Sequence, residues 1–107
     1  MADSQWVRVA GVADVAEGQV HAVRVGGREI ALYHLAGGEF HATDNICSHE
    51  YAQLSDGWLE DGSIECPLHA ARFDVRTGKA LCAPAETDLD VYELKVEGDD
   101  LLIKVPG

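Results

Sequence analysis

Two short segments, Cys47-Ser48-His49 and Cys66-Pro67-Leu68-His69, stand with sixteen residues between His49 and Cys66. Each joins a soft thiolate to an imidazole, so the fold must bring two separate loops to one place if they are to act together. In each pair the cysteine precedes the histidine by two or three residues, a spacing that lets a loop aim both side chains one way without a helix. Thiolate suits an iron already rich in sulfide, and neutral imidazole suits an iron that must give up electron density. The matched set Cys47, His49, Cys66 and His69 therefore favours a binuclear iron-sulfur cluster with unlike ends. A tetrahedral zinc also accepts two cysteines and two histidines, but zinc sites more often use Cys-x-x-Cys knuckles, and a two-residue step is cramped for chelating one ion. Unligated core residues are the third reading.

The rest of the chain must supply a scaffold for those loops. With 107 residues it is expected to form one domain, burying roughly two thirds of the surface its unfolded chain exposes. No apolar run approaches the ~20 residues needed to cross a bilayer, and residues 1–9 carry no basic-then-apolar signal pattern, so the expected location is cytoplasmic, without membrane contact. Three cysteines, two of them in metal-like spacing, argue against a disulfide scaffold. The formal net charge of -11 repels nucleic acid and anionic lipid, so partners should present basic patches. No Lys or Arg occurs between Arg28 and Arg72, whereas Glu29, Glu39, Asp44, Glu50, Asp56, Glu60, Asp61 and Glu65 do. This segment is either a docking face or simply a solvated one.

Period-two apolar alternation with β-branched residues at 6–9, 20–25, 30–35 and 40–42, separated by glycines, predicts an N-terminal β-meander. Gly26-Gly27 and Gly37-Gly38 are read as two-residue hairpin turns, which demand positive φ. Residues 91–96 and 101–105 predict a further hairpin around Gly98, and the two chain ends are expected to share one sheet system. Between them, short strand-like pieces at 58–60, 63–65 and 72–75 lie within an inserted subdomain of about residues 43–84. No amphipathic helix is expected. The fold class is all-β, with antiparallel sheets.

The two Cys/His segments, followed by Arg72-Phe73-Asp74 and Thr77-Gly78-Lys79-Ala80-Leu81-Cys82-Ala83-Pro84 and preceded by Ala42-Thr43-Asp44-Asn45, resemble Rieske [2Fe-2S] ferredoxins. The likeness spans nearly the whole chain and is nearest to the small ferredoxin components of bacterial aromatic-ring-hydroxylating dioxygenases, those of naphthalene and biphenyl systems included. It implies a Rieske fold with one [2Fe-2S] cluster at an exposed tip, Cys47 and Cys66 on one iron, and His49 and His69 on the other. It also implies a one-electron carrier that is not catalytic alone. A flavoprotein reductase, itself reduced by a nicotinamide cofactor, would load it, and a terminal oxygenase would receive the electron from a monomer in transient complexes. The runner-up is a Rieske-like small subunit fixed in a larger enzyme such as a nitrite reductase; a zinc-stabilised binding module is the third class.

Departures from the wider pattern carry information. Respiratory relatives join the loops by a disulfide at positions matching Ala52 and Leu68, so packing must hold the loops here. Ala71 and Phe73 replace a serine and a tyrosine whose hydroxyls reach cluster sulfurs. Their loss, with the surrounding acids, predicts a potential near the bottom of the roughly -150 to +300 mV Rieske span. Glu50 stands where dioxygenase ferredoxins usually carry glycine; it either points into water, the favoured reading, or tunes the cluster or meets a partner cation. Cys82 reads as a buried thiol and Pro84 as a cover for the cluster. His21, His34 and His41 read as surface or packing residues, and Trp6, Trp58, Tyr33, Tyr51 and Tyr92 as core or loop-packing groups, with Tyr51 and Trp58 near enough to the tip to touch a partner.

Overall fold

The computed structural model describes residues 4–46, 53–60, 62–67, 71–82 and 88–106. Its strands are β1 (Ser4–Gly11), β2 (Val20–Val25), β3 (Arg28–Leu35), β4 (Glu39–Asp44), β5 (Trp58–Glu60), β6 (Ser63–Glu65), β7 (Arg72–Asp74), β8 (Ala80–Cys82), β9 (Val91–Tyr92), β10 (Leu94–Glu97) and β11 (Asp100–Pro106). The helical pieces among the described residues are short 3-10 turns at Val12–Asp14 and Leu54–Asp56. The strands form three antiparallel sheets, ordered β1-β11-β10, β2-β3-β4-β9 and β5-β6-β7-β8.

Strand β3 explains the layering. Its sequence is almost continuously apolar, as expected for a strand covered on both faces. Ala31, Tyr33 and Leu35 enter one core with Leu54, Ile64, Cys66, Ala71, Phe73, Val75 and Leu89. Ile30 and Leu32 enter the other, with Ala10, Val15, Ala42, Tyr92, Leu101 and Ile103. The second sheet is thus the middle layer, and the side chains that alternate along β3 serve two cores in turn.

The turns follow the glycines, with one correction. Val25 pairs with Arg28 across Gly26 and Gly27, at φ 56° and 86°, a true two-residue turn. Leu35 pairs with Glu39, so the second hairpin carries three residues, Ala36-Gly37-Gly38, rather than two. The expected N-terminal meander is also corrected: β1 leaves it and pairs with β11, which joins the two ends of the chain in one sheet. The expected strand over 91–96 divides at Glu93, β9 pairing with β4 and β10 with β11. Strand β8 was not anticipated; it pairs with β7 through Arg72/Cys82 and Phe73/Ala80.

Candidate metal centre

Two breaks in the strand pattern carry the Cys/His segments, and the structure describes how each is closed at its base. The first spans 47–52. Its flanks meet in an antiparallel bridge between Ile46 and Gln53, and the Leu54 N–H donates to the Asn45 carbonyl at 2.6 Å. The second lies between β6 and β7, where the Cys66 N–H donates to the Ala71 carbonyl at 2.7 Å. Leu54 from the first base and Cys66 and Ala71 from the second belong to one buried core. The bases of the two loops therefore pack in one core.

Three consecutive residues leading into the first loop are each fastened from a different element. The buried Tyr33 hydroxyl lies 2.9 Å from Thr43 Oγ1; because Thr43 spends its proton on the Asp44 carbonyl at 2.8 Å, Tyr33 is the donor. Burial pushes the Tyr33 phenol far above its ordinary pKa, which keeps that proton in place. Tyr92 donates to Asp44 Oδ1 at 2.5 Å and accepts from Arg28 Nη1 at 3.1 Å. Asn45, at 0% exposure, accepts from the Ser55 N–H at 2.8 Å through Oδ1 and donates from Nδ2 to Ser55 Oγ at 3.1 Å. No buried side-chain nitrogen or oxygen among the described residues lacks a partner.

Of the four expected ligands, Cys66 is described and is 0% exposed, set directly after β6. Cys47, His49 and His69 lie outside the described residues, as do Glu50, Tyr51, Ala52, Leu68 and Pro84 and the side chain of Cys82. The non-ligand histidines behave as expected. His34 stacks on Phe40 with ring centroids 4.1 Å apart and donates from Nδ1 to the Val15 carbonyl at 2.7 Å; His41 contacts Glu39; His21 is exposed. Trp58 departs from expectation: it is 60% exposed, because Leu59 takes the inward position of the short β5.

The cation-free stretch of sequence is not a cation-free surface. Glu29 meets Arg24 at 3.2 Å. Glu65 and Glu60 meet Arg72 at 3.3 and 3.6 Å. Glu39 receives a bidentate grip from Arg76, at 2.6 and 3.2 Å. Arg76, helped by His41, holds the Glu39 carboxyl down to a pKa of about 2. Because Glu39 begins β4 and Arg76 follows β7, that pair ties the middle sheet to the sheet carrying Cys66.

Comparison with known proteins places this architecture. A profile of the Rieske [2Fe-2S] domain matches residues 5–93. The chain belongs to the Rieske [2Fe-2S] family. It is 50% identical over 100 residues, 94% of this chain and 95% of the relative, to the ferredoxin component of naphthalene 1,2-dioxygenase/salicylate 5-hydroxylase systems from Ralstonia sp. Among solved structures, the ferredoxin of carbazole 1,9a-dioxygenase from Nocardioides aromaticivorans IC177 superposes with a TM-score of 0.87 at 36% identity, covering 96% of this chain and 99% of that one. A complex of reduced oxygenase and oxidised ferredoxin in carbazole 1,9a-dioxygenase contains a chain matching at a TM-score of 0.84 and 35% identity, with coverage of 92% and 91%.

A Rieske protein carries one [2Fe-2S] cluster, and the described residues suit it. A fully buried thiol in the same apolar core as Leu54, Ala71 and Phe73, with its N–H held by the Ala71 carbonyl, suits a sulfur-rich group that needs a dry base. The supporting pair Asn45 and Ser55 was missed in the sequence reading. The polar run Thr43-Asp44-Asn45 between a strand and a ligand loop was the available signal.

Proposed function

We propose that this Rieske protein is a one-electron carrier between a nicotinamide-dependent flavoprotein reductase and the terminal oxygenase of an aromatic-ring dioxygenase system. The observation that carries the reading is the single core in which the bases of both ligand segments pack, in a chain that aligns over nearly its full length with a dioxygenase ferredoxin component. In it, Cys47 and Cys66 hold one iron, and His49 and His69 hold the other. When bound, the cluster supplies a one-electron couple with the reducing electron on the histidine-ligated iron. The chain's own residues position and shield it: Cys66 is withdrawn from water, Leu54, Ala71 and Phe73 lower the local dielectric, and the paired loop bases limit how far the ligands move on reduction. Residues 43–84 are the cluster-bearing unit, a span that contains all four strands of the third sheet.

Like its relatives, it is an electron-transfer component and is not catalytic alone. It works as a cytoplasmic monomer in transient complexes, and the net charge of -11 favours partners with basic docking surfaces and an association that weakens with salt. Among the described residues no helix is long and apolar enough to cross a membrane.

The test is expression with iron and sulfide supply, followed by dithionite reduction. A red-brown protein with the rhombic paramagnetic signal of a mixed-ligand [2Fe-2S] centre is expected, lost on Cys47→Ser or Cys66→Ser. Colourless protein holding zinc would overturn the cofactor assignment. Nicotinamide-driven product formation in a reconstituted reductase, carrier and oxygenase mixture, abolished when the carrier is omitted, then tests the partners.

A further inference from the structure

The first loop has a mount that its ligand chemistry does not explain. Segment 47–52 is closed at its base by the Ile46–Gln53 bridge, and just beyond that bridge one buried side chain spans the same gap. Asn45 is fully buried, yet its amide is directed at neither solvent nor a strand partner. It reaches Ser55, beyond the far end of the loop, receiving the Ser55 N–H at 2.8 Å and giving its own N–H to Ser55 Oγ at 3.1 Å. Its main chain works at the same point: the Asn45 carbonyl takes the Leu54 N–H at 2.6 Å, and the Asn45 N–H is spent on the Glu29 carbonyl at 2.8 Å. One residue thus fastens the start of the loop to β3 and its end to the 3-10 turn at Leu54–Asp56.

We infer that Asn45 is the positioning residue of the first ligand loop: its side-chain bridge to Ser55 fixes where Cys47 and His49 are presented to the cluster. The inference rests on the ligand assignment proposed above. A residue chosen only to fill the core would be apolar, because burying an amide without partners is unfavourable. Asparagine supplies one acceptor and one donor from a single planar group, and Ser55 offers the matching backbone donor and hydroxyl acceptor. Leucine has the same branched shape but leaves the Ser55 N–H without its acceptor. The bridge also sits on a fixed base, since Leu54, next to Ser55, packs in the core that holds Cys66. A displacement of Ser55 would therefore be felt by the first loop relative to the second, which is the geometry a cluster gripped from two sides must keep constant.

The test compares the cluster-loaded protein with Asn45→Ala and Asn45→Asp. A carboxylate at 45 still accepts the Ser55 N–H and accepts the Ser55 hydroxyl with its direction reversed, so Asn45→Asp keeps the bridge. Two quantities are read under conditions where far-ultraviolet circular dichroism shows folded protein: the rate at which visible absorbance bleaches in excess chelator, and the line shape of the reduced paramagnetic signal. Asn45→Ala is expected to bleach about ten-fold faster, with a broadened signal, as for loss of a ligand-supporting partner. Asn45→Asp should return most of the way to the wild-type rate. Ile103→Val, in the other core, serves as a destabilised control that should not broaden the signal.

The inference is overturned if Asn45→Ala keeps the wild-type rate and line shape, if it bleaches only in step with its loss of thermal stability as the Ile103 variant does, or if Asn45→Asp bleaches as fast as Asn45→Ala. Should Asn45→Ala fail to accumulate, Ser55→Ala takes its place, with Ser55→Thr as the hydroxyl-retaining rescue and the same two outcomes. A wild-type protein without the paramagnetic signal would sink the cluster reading instead, so the two failures are distinguishable.

Discussion

A methyl group added to Gly57 would stand 1.9 Å from the carbonyl oxygen of Glu65. Gly57 has an ordinary extended backbone, with φ -94°, so the requirement for glycine comes from the closeness of another chain. Trp58 pairs with Glu65 across β5 and β6, and Cys66 follows Glu65 directly. Gly57→Ala must therefore push β6 away at the residue preceding Cys66, the proposed ligand. Overpacking of this kind costs about 2 kcal/mol, which for a domain of this size lowers Tm by roughly 8–16 °C. Thermal scans of the loaded protein at one fixed rate should show that loss, and an unchanged Tm would mean the strand gives way freely.

The Glu39–Arg76 pair predicts an acid-sensitive joint between the middle sheet and the sheet carrying Cys66. Glu39 titrates at about 2 in the folded protein, below its ordinary 4.5, chiefly because Arg76 and then His41 hydrogen-bond its charged form. A depressed folded pKa gives stability that is fully present above the unfolded value and is lost as pH falls through the folded one. The stability difference between wild type and Glu39→Gln should thus be constant above about pH 5 and shrink between pH 4.5 and 2. The Glu39 side chain is partly open to solvent, so the difference should be small and weakened by salt. Denaturant midpoints of both proteins across that range, at two salt concentrations, check it; a difference that grows on acidification would contradict the assignment.

How much of this was readable in the chain depends on whether a feature is local. The turn at Gly26-Gly27 and the bounds of β5 and β6 follow from residues that carry their own signal: paired glycines with positive φ, and short alternating runs between turn residues. The switch of partners at Glu93 was not readable, because β4 and β11 ask for the same alternation along 91–96 and the sequence does not record which neighbour each residue meets. The ion pairs of the acidic segment were hidden for a similar reason: Arg24, Arg72 and Arg76 lie outside it in sequence and beside its carboxylates in space. In the candidate centre, the ligand types and spacing were local. Asn45 looked like any polar residue before a loop until Ser55, ten residues on, was seen to meet it.

Trp58 offers a direct test of the outer face of the third sheet. It is 60% exposed, so Trp58→Ala should change stability by no more than about 0.5 kcal/mol. The same substitution in a reconstituted electron-transfer assay should raise the KM for the carrier while leaving the cluster potential unchanged, since an exposed indole paired with Glu65, the neighbour of Cys66, offers contact area to a partner. A large loss of stability would show that the side chain packs after all.

Ala71 and Phe73 set the expected potential. Both are fully buried in the core that holds Cys66, and neither brings a hydroxyl there. Hydrogen bonds to cluster or ligand sulfur favour the reduced form because it carries the extra negative charge. One such bond contributes about 1 kcal/mol, which for a single electron is roughly 40 mV. Ala71→Ser and Phe73→Tyr should therefore each raise the midpoint potential by about that amount from a wild-type value below zero, and the double variant should raise it further. Anaerobic redox titrations followed by visible spectroscopy measure the shift. If both single variants keep the native spectrum and neither potential rises, the missing hydroxyls are not what holds this centre low.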